Sequence, residues 1–208
     1  MNRWALSMGV SPREPLSNVA TLATAAESYG FEGLWYIDFQ LGMKDEYAAM
    51  NIAAMATKSM HIGPSVTNLV TRHPTVTANA MTALDELTDG RAMLGIGAGW
   101  SAVYGAGGQP SKLGDISNGI DEMRKLFTGE EQDLYGTRVQ LKTARRQIPI
   151  YIAVSQPGML RLCGEKADGA ILMGAADPEF CKWQLDYLYE GLKKAGRDRS
   201  EVLVDLVV

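Results

Sequence analysis

Residues 61–96, HIGPSVTNLVTRHPTVTANAMTALDELTDGRAMLGI, hold one complete turn of the pattern that organises this chain. A short apolar run at 61–66 passes through a polar turn into a segment of helical spacing at 74–87. A second apolar run follows at 91–96. The runs are continuously apolar and do not alternate, as in strands covered on both faces. Strand, helix and strand within about thirty residues make the βαβ unit of a parallel sheet.

The same alternation extends in both directions. Upstream, a strand at 4–8 precedes a helix at 16–29, and a strand at 33–37 precedes a helix at 47–57. Downstream, a glycine-rich stretch delays the next helix to about 116–127, and an insertion occupies about 129–147. A fifth strand at 149–154 leads to a helix at 159–165. A sixth at 169–173 leads to a helix opened by Asp177 and Pro178, an N-cap acid with proline at the first helical position. Residues 202–208 read as a seventh strand. Regular βα repetition of this length predicts an α/β fold of the TIM type, a (β/α)8 barrel, in preference to a doubly wound sheet. A complete barrel takes ~250 residues. Residues 1–208 are therefore expected to form a single partial barrel domain, truncated within its seventh strand. Either it is a fragment or a partner chain closes its open edge, and a bare apolar edge strand favours the fragment.

The composition, 46% hydrophobic and 21% charged over 208 residues, is that of a globular protein with a sizeable core. A net charge of -4 gives no general attraction to nucleic acid or to anionic lipid. The one basic cluster, Lys193, Lys194, Arg197 and Arg199, ends a predicted helix and complements its dipole. Cys163 and Cys181 are too few for a disulfide framework. With only His61 and His73, and no HExxH, no metal site is expected. The apolar start at 4–10 lacks the layout of a signal peptide, and no run reaches the ~20 apolar residues of a membrane span. These features predict a cytoplasmic protein with no nucleic-acid or membrane partner.

In such barrels chemistry sits at the C-terminal ends of the strands. Asp38 directly follows the second strand, where a carboxylate hydrogen-bonds a cofactor or steers a proton, or else caps a helix or holds a loop. The third strand ends in Gly63-Pro64-Ser65-Val66-Thr67-Asn68, small and polar residues that let a flat ring approach the backbone. Thr67 and Asn68 there carry hydrogen-bonding groups suited to ring carbonyls and nitrogens. The fourth ends in a GxGxxA match starting at Gly97. Three βα units precede that match and further glycines delay its helix, so a loop admitting a ring or substrate is the better reading than a pyrophosphate turn. The fifth ends in Ala153-Val154-Ser155-Gln156-Pro157-Gly158, where a helix start after Pro157 offers N–H groups to a phosphate and Ser155 adds a donor.

In order, these segments resemble the luciferase-like monooxygenase superfamily, and within it the F420-dependent branch. The resemblance is carried by residues 66–68 and 71–74, by 84–91 (LDELTDGR), 94–99 (LGIGAG), 148–153 (IPIYIA) and 164–169 (GEKADG). It implies an oxidoreductase that transfers a hydride between coenzyme F420 and a small organic substrate, with the deazaflavin at the C-terminal mouth. It implies a non-prolyl cis peptide at Ser65–Val66 backing the ring, and Asp38 as the acid near the reacting face. Cofactor contacts are implied from Asp38, Ser65, Val66, Thr67 and Asn68, and from Ala153, Val154, Ser155, Gln156 and Gly158 for the phosphate-bearing tail. A homo-oligomer is expected by the same analogy. Two features depart from the family pattern: Phe39 follows Asp38 where a histidine is frequent, and Trp100 stands where an acid is frequent. The second argues against a sugar-phosphate substrate, and Trp100 with Tyr104 suits a flat or apolar one. An FMN-dependent monooxygenase and a truncated, non-catalytic flavin-binding or assembly protein are the alternatives.

Overall fold

Short strands with apolar residues at every position need cover on both sides, and the chain supplies it by alternating them with helices. The computed structural model describes residues 4–134, 136–173 and 177–207. Its elements run β1 (Ala5–Met8), α1 (Asn18–Ser28), β2 (Gly33–Tyr36), α2 (Glu46–Ala56), β3 (His61–Pro64), β4 (Thr67–Asn68), α3 (Pro74–Leu87), β5 (Leu94–Gly97), α4 (Trp100–Gly105), α5 (Leu113–Thr128), β6 (Gln132–Leu134), β7 (Thr137–Val139), β8 (Ile150–Val154), α6 (Pro157–Lys166), β9 (Gly169–Leu172), α7 (Pro178–Ala195) and β10 (Leu203–Leu206).

Strands β1, β2 and β3 form one parallel sheet, and β4, β5, β8, β9 and β10 form a second in that order. A parallel bridge between Ile62 and Ala92 joins them. In a flat sheet β2 and β10 would lie about 24 Å apart, five strand spacings. Instead the Trp35 indole Nε1 donates to Asp205 Oδ2 at 3.2 Å. The joined sheet must curl to bring those two strands together.

Curling divides the strand residues into two sets. Leu34, Tyr36, Ile62, Leu94, Ile96, Ile150, Ile152 and Leu172 face the helices and belong to the main core. Trp35, Met93, Tyr151 and Ile171 form a separate inner cluster, joined by Val66 and Ala153. The Trp35 and Tyr151 rings meet edge to face at 5.2 Å between centroids. Glycines make room for them. A Cβ on Gly63 would lie 2.0 Å from the Met93 carbonyl oxygen and 3.0 Å from the Trp35 ring, and one on Gly169 would lie 2.0 Å from the Tyr151 ring.

Several boundaries differ from the sequence reading. The third strand is interrupted, with β3 pairing β2 and β4 pairing β5. The delayed helix expected at about 116–127 is α5, but a short helix not expected from the sequence precedes it: α4 begins at Trp100 directly after Gly99, whose positive φ of 86° turns the chain. The insertion contains the antiparallel hairpin β6–β7. The seventh strand spans Leu203–Leu206, and Val208 lies outside the described residues. Asp177 caps α7 as expected, accepting from Phe180 N at 2.7 Å. Of the basic cluster, Lys193 and Lys194 occupy the last turn of α7, whereas Arg197 donates to the carbonyls of Gly164 and Ala167 and Arg199 lies over Tyr189. Within the described ladders β1 and β10 are each paired on one side only. No helix among the described residues is long and apolar enough to cross a membrane.

Gly63→Ala should lower stability by roughly 1–3 kcal/mol, since a methyl there meets backbone that cannot swing away. Gly114→Ala, in α5 with no neighbouring atom within 4 Å, should be neutral or slightly stabilising. Urea titrations of the two variants check this, read as midpoint shifts at unchanged slope.

Candidate functional site

Parallel strands bring the C-terminal ends of β2, β4, β5 and β8 to one side of the sheet, where most of the chemically distinctive residues collect. Asp38 lies two residues beyond β2 and is 4% exposed. It does not cap α2, because Asp45 does so by accepting from Ala48 N at 2.8 Å. Asp38 Oδ2 accepts from the Thr67 hydroxyl at 2.8 Å and Oδ1 accepts from the Gln40 amide. The Glu46 carboxyl, on the first residue of α2, is 3% exposed, and it and Asp38 act on each other's ionisation. Beside them the Arg72 guanidinium sits 3.9 Å from the centre of the Tyr47 ring and 3.6 Å from Asp45 Oδ2.

Burial raises the Asp38 carboxyl above its ordinary range, opposed by the donors on it. Burial, and next the neighbouring Asp38 charge, push Glu46 up to about 8. Burial likewise holds the Tyr47 hydroxyl at about 12, so it stays protonated.

Next to this nest the Ser65–Val66 peptide is cis, as the resemblance implied. The Val66 side chain lies against β5. A Cβ on Gly97 would be 2.5 Å from Val66 Cγ2 and 3.7 Å from Ala153 Cβ, and one on Gly95 would be 3.3 Å from Val66 Cγ1. The half-buried Val66 thus lies over the buried Gly97, and with the half-buried Ala153 they form a shelf of small side chains. Thr67 and Asn68, read from sequence as donors to a ring, are fully buried. The Thr67 hydroxyl serves Asp38. Asn68 Oδ1 accepts from Val70 N, Thr71 N and Thr71 Oγ1 at 3.0, 2.8 and 3.0 Å, holding the following loop. Asn68 Nδ2 is buried with no hydrogen-bond partner. Ser65 is half-buried beside the cis bond.

At the end of β8, Val154 turns into the helix-facing core, while Ala153 joins the inner cluster. Ser155, Gln156 and Gly158 are exposed. Helix α6 begins at Pro157 without a side-chain cap, and its first backbone bond is Leu160 N to Gln156 O at 3.0 Å. The N–H groups of Gly158 and Met159 precede that bond and point out of the helix end, where an anion is favoured. On α4, Trp100 and Tyr104 are exposed with ring centroids 5.9 Å apart, and Phe39 and Leu41 reach the neighbouring Gly105. The GxGxxA match leads only into this six-residue helix. No group of three or more His, Cys, Asp or Glu among the described residues is placed to hold a metal ion.

Sequence reasoning singled out Asp38 and the loops but missed Glu46, Gln40 and Asp205. Glu46 follows a capping aspartate, where a first-turn acid is ordinary helix chemistry. Only its burial against Asp38 makes it unusual. Asp205 lies in an apolar run and gave no sign that it would turn inward to Trp35, where burial raises its carboxyl.

Residues 3–207 match the model of the luciferase-like monooxygenase family. Over 200 residues the chain is 34% identical to a 5,10-methylenetetrahydromethanopterin reductase of Methanolobus tindarius, covering 92% of this chain and 60% of that protein. Over 197 residues it is 32% identical to an F420-dependent glucose-6-phosphate dehydrogenase of Microbacterium testaceum, covering 85% of this chain and 59% of that one. The fold matches that of the coenzyme F420-dependent tetrahydromethanopterin reductase of Methanopyrus kandleri with a TM-score of 0.85 at 24% identity, over 99% of this chain and 65% of the other. The chain therefore spans about 60% of the length of the curated relatives it matches.

The raised Glu46 carboxyl carries a pH signature. Between the ordinary value of 4.5 and about 8 the folded chain keeps a proton that the unfolded chain releases. Stability from this group is full below 4.5 and falls as pH rises through that window. Glu46→Gln removes the titration, so the drop in melting temperature from pH 5 to pH 8 should shrink by at least about 2 °C. Melts of the two proteins at both pH values measure it, and an equal drop in both would assign the pH dependence elsewhere.

Proposed function

The chain belongs to the luciferase-like monooxygenase family, and on that premise we propose that its seven parallel strands are consecutive strands of a (β/α)8-barrel oxidoreductase that moves a hydride between coenzyme F420 and a small organic substrate. The observation that carries this reading is the shelf of Val66, Gly97 and Ala153 beside the uncapped start of α6. A surface of small apolar side chains fits a planar ring, and an open helix N-terminus fits an anionic tail. The orphaned Asn68 Nδ2 is a further donor at the edge of that surface, in want of an acceptor.

A bound deazaflavin supplies the carbon that accepts or gives the hydride. The chain's own residues do the rest. Val66, Gly97 and Ala153 orient the ring. Ser155 and the N–H groups of Gly158 and Met159 hold the phosphate. Asp38 presents a carboxylate near the reacting face that takes up or returns a proton. Trp100 and Tyr104 offer exposed ring faces to an apolar or flat substrate. FMN has the same outline of flat ring and phosphate, so the shelf alone admits either cofactor. The deazaflavin is favoured because relatives at 32–34% identity are named for F420 or for the reductase activity whose Methanopyrus kandleri counterpart is F420-dependent. By the same kinship the chain is read as a homo-oligomer, which light scattering would report.

Fluorescence titration of the purified chain should give saturable binding of F420 and weaker binding of FMN. The reverse preference would assign the chain to flavin monooxygenation, and binding of neither would favour a non-catalytic role. Ser155→Glu sets a like charge against the phosphate and should weaken F420 by roughly tenfold. The affinity for a deazaflavin lacking the phosphate-bearing tail should stay unchanged, and an equal loss for both compounds would remove Ser155 from the phosphate site.

A further inference from the structure

The shelf does not account for the polar chemistry buried where β2 passes into α2. Asp38 and Glu46 are two carboxyl groups, both closed off from water, each of which acts on the other's ionisation. Two buried carboxylates that act on each other resist being ionised together, because neither solvent nor a cation of their own offsets the second charge. The charged and titratable groups that act on them are Asp45, Arg72 and Tyr47. Asp45 adds a further negative charge. Arg72, which favours ionisation, is shared with Asp45 and lies over the Tyr47 ring. The Tyr47 hydroxyl stays protonated.

The donors are divided unequally between the two acids. Asp38 accepts from Thr67 on one oxygen and from Gln40 on the other, whereas Glu46 Oε1 is buried with no partner. Hydrogen-bond donors favour the ionised form, so Asp38 is the charged member and Glu46 the protonated one. Gln40 is exposed and also donates to Thr71 Oγ1 at 3.2 Å, so its amide covers Asp38 Oδ1 from the solvent side.

We propose that Asp38 and Glu46 share one proton, and that Glu46 is a positioning residue which holds it, so that Asp38 Oδ1 stays ionised and takes up and returns a second proton at the mouth when Gln40 moves aside. The use of the proton rests on the hydride-transfer reading, but the sharing does not. The substrate class it suits is an alcohol or its carbonyl. As the hydride leaves carbon for the cofactor, the O–H bond breaks, its electron pair completes the C=O bond, and its proton passes to Asp38 Oδ1. Both carboxyls are then neutral. In the reverse direction the proton returns to the carbonyl oxygen.

Infrared titration of the cofactor-free chain, following the carbonyl stretch of a protonated carboxylic acid, tests the sharing. The native chain should keep that band above neutral pH, and Glu46→Gln should abolish it. Asp38→Asn should lower its midpoint by about one pH unit or more, because a like charge is gone. A native chain without the band, or an unmoved midpoint in Asp38→Asn, overturns the proposal. Should Asp38→Asn not fold, Thr67→Val reads the same coupling: removing a donor from Asp38 should raise the midpoint, and no change overturns sharing. In the F420-loaded enzyme Glu46→Gln should shift the pH profile of kcat/KM and leave F420 affinity intact, whereas an unshifted profile overturns the positioning role. Failure to bind F420 would instead overturn the proposed function, with the infrared titration still deciding the pair.

Discussion

The side chains of Trp35 and Tyr151 meet inside the curled sheet, and the positions around them have to stay small. Gly63 and Gly169 are glycine because those two rings and the neighbouring backbone occupy the space where a Cβ would stand. Trp35 also donates to Asp205, which ties the second strand to the last one described. A flat parallel sheet would leave these groups far apart. The interior therefore specifies the curvature, and the curvature turns the strand ends toward a common mouth. Close packing makes this arrangement sensitive to single methyl groups, because the opposing atoms are backbone or rigid rings.

Two different surfaces meet at that mouth. One is the shelf of Val66, Gly97 and Ala153, where side chains are small and apolar. The other is the acid nest of Asp38 and Glu46, where polar groups are crowded and partly unsatisfied. The break between β3 and β4 serves both. It turns Val66 onto the β5 glycines and sends Thr67, one residue later, to Asp38. An uninterrupted third strand would have continued the alternation of inward and outward side chains past this point. Loop geometry here places an apolar surface and a buried carboxylate side by side, a combination suited to holding a ring while controlling a proton.

The electrostatics of the nest follow from what was left out of it. A buried carboxylate is commonly paired with a direct cation, as Asp85 is with Arg146 at 2.6 and 2.9 Å. Asp38 has only neutral donors, and the nearby Arg72 is engaged with Asp45 and Tyr47. Such a site tolerates one charge and resists a second. Its protonation is set by its surroundings and not by bulk pH alone.

The alternation of apolar runs with helical segments determined the parallel α/β architecture, and helix starts such as Asp177 with Pro178 were legible because capping is local chemistry. The family, and the loops that gather at the mouth, could be read from ordered short motifs between 66 and 169. Tertiary structure alone decided the break after Pro64 and the start of α4 at Trp100, since both depend on strands packing against neighbours distant in sequence. It also decided the roles of individual polar residues. Thr67 and Asn68 have hydroxyl and amide groups suited to a ligand, yet their oxygens serve the protein, because burial obliges polar atoms to find the nearest partner. Glu46 and Asp205 look like ordinary acids in sequence. Only the fold buries one against another carboxyl and the other beneath an indole, and burial, a property of three-dimensional neighbours, is what changes their chemistry.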